Sequence, residues 1–289
     1  MSTKKSEELV YKKRMTPAER RVAWLSRIIL WVMAVIVLIP IMAVVSASMA
    51  KGNSFTQTSI FPTTFTLENY VKVVRDTNFL IWVRNSLFVC LSVSVVQLIM
   101  TVPAAFAFAK LKFKGRRFGL MFLLILQMFP TTMALPAILG IAYRFNLMDK
   151  LWGLIILLAV GSAYNIWLMK GYMDGIPNEL CESACIDGAN TWDVLWKIIF
   201  PLIKNMLIVI FIFAFVGAYS EFIFTSALMK DASTQTIATG MRTFITNNYS
   251  AKWTQYSAAA IMASLPVVII SIVAQKFFAS GLVAGSVKG

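Results

Sequence analysis

Six apolar stretches divide the chain: residues 28–48, 82–108, 119–142, 152–172, 206–229 and 257–278. Each is long enough to cross roughly 30 Å of hydrocarbon as a helix, the longest of them with tilt. Helices are predicted rather than strands, because a membrane β-barrel needs alternating segments of about 10 residues and no such pattern is present. The first stretch is entered through Thr16-Pro17-Ala18-Glu19, a capping-box string with Pro at the first helical position. Ser48-Met49-Ala50 at its far end invites comparison with a signal-peptide cleavage site. The apolar core from Ile28 to Val45 is 18 residues, beyond the roughly 7–15 of a signal peptide, and predicts an uncleaved first span.

A long polar break, residues 173–205, separates the fourth and fifth stretches and has a pattern of its own. Pro177 fits the first position of a short helix, with Glu179 and Glu182 in the first turns where the helix dipole favours acids. Leu180, Ala184 and the Cys181/Cys185 pair repeat at helical spacing and predict a short apolar face. Gly188 ends the helix, since it accepts positive φ without a Cβ clash. Asn190 or Thr191 then caps a second short helix, Trp192–Ile199, which Pro201 stops before the next span. Two helices joined by a bend fit a groove on a partner protein. They equally fit an interfacial tether between two spans, and the pattern alone leaves both readings open.

Charge orients the spans. Residues 1–27 hold eight Lys/Arg, and Lys110, Lys112, Lys114, Arg116 and Arg117 crowd the break after the second stretch. With an even number of spans, both chain ends and the break at 110–117 are expected on the cytoplasmic side. The breaks 49–81, 143–151 and 230–256 then face outward, and 173–205 faces inward by parity. That last break is net negative, with five acids against Lys197 and Lys204, which suits a folded surface for a protein partner better than a basic tether to lipid.

Composition narrows the function. The 289 residues are 58% hydrophobic and 14% charged. The net charge of +14 sits beside apolar spans and not on a soluble basic face, so nucleic-acid binding is not expected. The chain has no His, which removes the commonest metal ligand and proton relay. Cys90, Cys181 and Cys185 are read as packing residues, and no metal site or disulfide framework is expected. No G-x₄-G-K-[ST] phosphate loop and no H-E-x-x-H string occurs, so the chain is not expected to be an enzyme.

Polar groups inside the spans are the candidates for a pathway. Glu221, in Gly217-Ala-Tyr-Ser-Glu-Phe222, reads as an intramembrane carboxylate that lines a path, couples a proton, or serves as a structural partner near the outer interface. Tyr219, Asn85 and Gln127 join it as possible translocation-path residues, and Gln97 and Asn165 are of the same kind. Such groups hydrogen-bond between helices as readily as to a sugar. Pro103, Pro130, Pro136 and Pro266 are read as helix interruptions, and Gly153 and Gly161 as close-packing positions.

Residues 182–201 read Glu-Ser-Ala-x₃-Gly-x₉-Ile-x-Phe-Pro. This string resembles the cytoplasmic signature loop of the membrane subunits of ATP-binding-cassette (ABC) importers, E-A-A-x₃-G-x₉-I-x-L-P. Ser183 and Phe200 are the departures, and both are mild. Phe65-Thr-Leu-Glu-Asn-Tyr70, Trp82-x₂-Asn85-Ser86-Leu87 and Gln127-Met-Phe-Pro130 are similar to segments of carbohydrate-importer permeases. The end, Gly281 to Gly289, is similar to the tail of the second permease subunit of maltose and maltodextrin importers.

The resemblance implies an all-α membrane protein of six transmembrane helices with a cytoplasmic coupling-helix loop, the type I ABC importer permease fold. A cytoplasmic segment 1–27 would precede a permease domain 28–278 with its coupling loop at 173–205, and a cytoplasmic tail 279–289 would follow. Glu182, Ser183, Ala184, Gly188, Ile198 and Pro201 would form the surface that docks on an ATPase. The implied partners are a second homologous permease subunit, two ATP-binding subunits that hold ATP and Mg, and an extracellular solute-binding protein. The setting would be the bacterial cytoplasmic membrane and the cargo maltodextrin-type sugar. An ion-coupled secondary transporter is the alternative, although a single clear intramembrane acid and the lack of a half-repeat fit it less well.

Overall fold

The computed structural model describes residues 16–52, 65–246 and 251–283. Residues 1–15 of the expected N-terminal segment and 284–289 of the expected tail lie outside them. Among the described residues the chain is helical, and the only pairing of extended backbone is a single bridge between Ala50 and Phe65.

Three helices are unbroken and apolar enough to cross a membrane: α1 (Pro17–Ser48), α3 (Phe79–Lys110) and the last helix. α2 (Glu68–Asp76) is a short amphipathic helix before α3. α1 starts with a reciprocal capping box. Glu19 N–H donates to Thr16 Oγ1 at 3.2 Å, and Thr16 N–H donates to Glu19 Oε2 at 2.7 Å. Most of its apolar length stays exposed, with burial beginning only near Ala47 and Ser48.

Three bent helix pairs are each long and apolar enough to count as one span. α4 (Arg116–Met128) meets the helical segment Thr132–Arg144, which contains α5 (Leu135–Arg144), at 74°. Phe129 is extended, as a residue before proline is driven to be, and Pro130 lacks an N–H to continue the ladder. α6 (Leu151–Ala159) and α7 (Ala163–Asp174) meet at 47° across Val160-Gly161-Ser162. α8 (Glu179–Ile186) follows, then α9 (Thr191–Leu202), which turns by 82° into α10 (Lys204–Tyr219). α11 (Ile223–Leu228), α12 (Ile237–Gly240) and α13 (Trp253–Val283) complete the chain.

Two expectations about prolines and spans change. Pro103 and Pro266 lie inside unbroken helices, where each removes one hydrogen bond while the flanking turns hold. Only Pro130 marks a break; Pro136 sits in the first turn of α5, where its missing N–H is not needed. The fifth stretch is not one helix over 206–229. It ends at Tyr219 and restarts at Ile223, because Glu221 caps a new helix instead of continuing the old one.

Three buried clusters hold the bundle. One joins Val102 and Phe106 of α3 and Ile166 and Met169 of α7 to Val209 and Ile210 of α10 and to Val194, Leu195 and Ile199 of α9. A second, at the other end, packs Phe79 and Trp82 against Ile237, Phe244 and Ala259. There Gly240 lies under the Trp82 indole so closely that a Cβ would stand 2.1 Å from Cδ2. The third links Val89 and Val93 to Leu154 and Leu228.

Candidate functional site

The loop between α7 and α10 is built onto the bundle. Lys110, the last residue of α3, donates from Nζ to the Ile176 carbonyl at 2.5 Å and to Asn178 Oδ1 at 2.9 Å. Asn178 in turn offers its carbonyl to the N–H groups of Cys181 and Glu182, at 2.9 and 3.0 Å, which opens α8. Pro177 therefore stands before the helix and not at its first position: segment 176–178 is tied to α3, and the helix starts past the tie.

α8 has an inner and an outer side. Cys181 and Ala184 pack on the core cluster, and burial pushes the Cys181 thiol up from its ordinary pKa. Leu180 and Cys185 are exposed, so the expected four-residue apolar face is in fact a two-residue contact. Glu179, Glu182 and Ser183 are exposed, and Ile186 is 86% exposed at the tip. Gly188 has φ +87°. Its N–H donates to the Cys185 carbonyl at 3.1 Å, and Ala189 N–H donates to the Ala184 carbonyl at 2.9 Å, which is a Schellman closure.

Asn190, not Thr191, caps α9: its Oδ1 accepts from Trp192 N–H at 2.9 Å and Asp193 N–H at 3.0 Å. Val194, Leu195 and Ile199 are buried against α3 and α7, Ile198 is half-buried, and Trp192 and Trp196 face outward. Lys197 hydrogen-bonds Asp193 at 2.6 Å and holds its carboxyl below the usual range. Pro201 does not stop the helix. Val194–Ile199 winds as a π-helix, with Phe200 N–H reaching the Leu195 carbonyl five residues back. This wider turn precedes Pro201, and the chain stays helical to Leu202. The turn into α10 comes at Ile203, which is fully buried.

The outer surface is thus an acidic patch of Glu179, Glu182 and Asp187 around the Ile186 side chain. None of the three acids has an ion pair among the described residues. Such a surface fits a cleft with an apolar floor and a basic rim. Ser183 and Gly188 lie on it, Ala184 lies behind it, and Pro201 is exposed at the end of α9. Ile186 and the Lys110 tie went unnoticed in the sequence. Ile186 was legible as the last apolar residue before the Gly bend; nothing local marked Lys110 among its basic neighbours.

A second feature is a cavity of about 540 Å³ between α3, α6, α7 and α10, lined by Gln97, Gly161, Tyr164, Asn165, Phe213 and Gly217 among others. Asn165 Nδ2 donates to Gln97 Oε1 at 2.8 Å, and Gln97 Nε2 donates to the Leu158 carbonyl at 3.0 Å. The break after α6 frees carbonyls, and amide side chains satisfy two of them: Gln97 on Leu158 and Gln127 Nε2 on Gly161 at 3.3 Å. Gly161 is thus a helix break, while Gly153 is a close-packing site with Leu147 O 2.9 Å from where a Cβ would lie.

The other candidates are dispersed. Asn85 is buried and donates to the Ser233 and Gln235 carbonyls at 2.8 and 2.9 Å, fixing an end loop. Tyr219 donates to the Ala263 carbonyl at 2.6 Å and ties α10 to α13. Glu221 accepts from Phe224 N–H at 2.8 Å, Thr225 N–H at 2.9 Å and Thr225 Oγ1 at 2.7 Å, so it caps α11. Tyr164 completes the cavity wall and was not singled out in the sequence, where it reads as one more interface aromatic.

Comparison with known proteins agrees with this architecture. The family described as binding-protein-dependent transport system inner membrane component matches residues 99–283. The maltodextrin transport system permease protein MdxG of Bacillus subtilis (strain 168) is 35% identical over 261 residues, covering 90% of this chain and 94% of that protein. The galactooligosaccharides transport system permease protein GanQ of the same organism is 36% identical, covering 91% and 95%. The maltose/maltodextrin transport system permease protein MalG of Escherichia coli (strain K12) is 30% identical, covering 92% and 96%. A bacterial ABC transporter involved in alginate import shares the fold, with a TM-score of 0.78 at 24% identity over 92% of this chain and 99% of that one. Three unbroken spans, three bent pairs and the long match place the chain in the family of binding-protein-dependent transport system inner membrane components.

Proposed function

We propose that this chain is a permease subunit of an ATP-driven, binding-protein-dependent importer of maltodextrin-type oligosaccharides, working by alternating access. The single observation that carries the reading is the docking loop: an exposed acidic helix with an apolar tip, closed by Gly188 and seated on the bundle core through α9. The relatives' names supply the cargo class. Family membership sets aside the ion-coupled secondary transporter.

In this reading the chain pairs with a second, similar permease subunit, and two ATPase subunits bind and hydrolyse ATP with Mg while this chain performs no catalysis. A solute-binding protein delivers sugar on the opposite face. The loop and both chain ends lie on the cytoplasmic side, as the basic segments imply. We assign the sugar path of this subunit to the cavity wall of Gln97, Asn165 and Tyr164, with Gln127 at its edge. Amides that point into a cavity beside an aromatic ring offer both partners a sugar needs, hydroxyl acceptors and donors and a flat apolar face.

Co-purification tests the reading. Tagged chain should recover an ATPase subunit, and Gly188→Pro should abolish sugar uptake. Recovery of no ATPase together with intact uptake in Gly188→Pro overturns it. An uptake panel of maltodextrins and galactooligosaccharides with the binding protein present then fixes the cargo.

A further inference from the structure

We propose that the end of the bundle bearing the docking loop holds an anionic phospholipid, seated where α3 ends and α4 begins. A cavity of about 480 Å³ opens there, lined by Arg116, Arg117 and Lys170 together with Phe108, Phe113 and Phe118, and no acid is on its wall. Lys170 is paired with Asp174 at 2.6 Å, and Arg116 is committed to the protein. Its Nε donates to the Phe108 carbonyl at 2.6 Å and its Nη2 to the Ala109 carbonyl at 2.9 Å, closing the end of α3. That arrangement fixes the backbone from which Arg117 projects. Arg117 has no partner among the described residues, and it lines the cavity.

Neither arginine here is paired with an acid among the described residues. The first turn of α4 carries two arginines and no acid, the reverse of what a helix dipole favours. Lys112 and Lys114 add to the positive charge. Around the cations the surface is apolar: Phe118 is 77% exposed and Phe113 45%. A free phosphate would meet the cations and have no use for the rings. A phosphodiester headgroup with acyl chains matches both, the headgroup against Arg117 and the chains along Phe113 and Phe118. The inference rests on this end of the spans lying at a membrane surface, and on nothing about the cargo.

The test uses the full-length chain assembled with its partner subunits in detergent. Dioleoylphosphatidylglycerol, dioleoylphosphatidylcholine and glycerol phosphate are titrated separately, with bound lipid counted by native mass spectrometry and the thermal midpoint recorded. Phosphatidylglycerol should be retained saturably and in preference to phosphatidylcholine, and should raise the midpoint. Arg117→Gln should weaken that binding about fivefold, the worth of one basic residue at a membrane surface. Lys112→Gln, outside the cavity, should weaken it less than Arg117→Gln does. Equal retention of the two lipids overturns the proposal, as does a midpoint shift reproduced by glycerol phosphate alone, or an Arg117→Gln protein that binds like the parent. If Arg117→Gln fails to assemble, the parent's comparison of the two lipids decides.

Discussion

Gly188 allows the loop between α8 and α9 to be perturbed through the backbone alone. Its φ of +87° lies in the left-handed region, and no atom lies within 4 Å of where a Cβ would stand. A side chain there meets no neighbour, so the whole penalty is conformational. For alanine that penalty is about 1–2 kcal/mol, a factor of roughly 5–30 in the population of the closed loop. Asparagine tolerates this region and should lose less, whereas valine, β-branched, should lose more. The measurement is the ATPase-subunit concentration that gives half-maximal, sugar-stimulated ATP hydrolysis by the reconstituted transporter. Gly188→Asn should shift it slightly, Gly188→Ala by about 5–30-fold, and Gly188→Val further still. The thermal midpoint of the bundle should barely move, because α9 keeps its buried contacts in all three. If Ala and Val behave like the parent, or if Asn is as impaired as Val, the Schellman closure is not what presents α8.

Other perturbations separate position from chemistry. Lys110→Met removes two bonds from an ammonium to the start of α8 and should weaken loop closure by about 1.5–3 kcal/mol, read as lost stimulation of ATP hydrolysis in a protein that still assembles. Glu221→Gln removes part of the cap on α11 and should lower the thermal midpoint by a few degrees, for a loss of about 1 kcal/mol, while uptake stays insensitive to a pH gradient; lost uptake at an unchanged midpoint would instead put this carboxylate in the path. Gly240→Ala drives a methyl into the Trp82 ring, which Phe79 and Phe244 hold edge-on at 6.3 and 6.1 Å, and should destabilise by at least about 1–3 kcal/mol in a melt. At neutral pH a maleimide should label exposed Cys185 well ahead of Cys181, whose raised pKa leaves little thiolate until the pH climbs, and bound ATPase should protect Cys185.

Much of this was written in the sequence because hydrocarbon leaves a helix few options. The Thr16 capping box and the Gly188 bend are local signals, and each stands where its residues put it. What the sequence hid depends on distant partners. Glu221 reads as an intramembrane acid until the backbone N–H groups of Phe224 and Thr225 are seen to take it as a cap. Pro177 reads as a helix start until Lys110, far away in sequence, ties down the residue beside it. Pro201 reads as a stop because period and propensity carry no notice of a π turn. Gln97 and Asn165 stood among several equal amides, and only the fold brings them to one cavity.

The 82° corner at Ile203 gives α9 and α10 the geometry of a crank. Hydrogen bonds run on both sides of the corner, from Ile203 N–H to Ile199 and from Leu207 N–H to Ile203, and the Ile203 side chain is buried, so the two arms turn as one piece. The α9 arm, Thr191–Leu202, is about 18 Å long at the helical rise. A tug of about 2 Å on its free end, a typical helix shift at a subunit interface, rotates the corner by about 6° and swings the far tip of α10 by about 2.5 Å. A push on the end of α9 directed along the axis of α10 thus leaves the corner as tilt of α10, beside the wall that α10 contributes to the cavity.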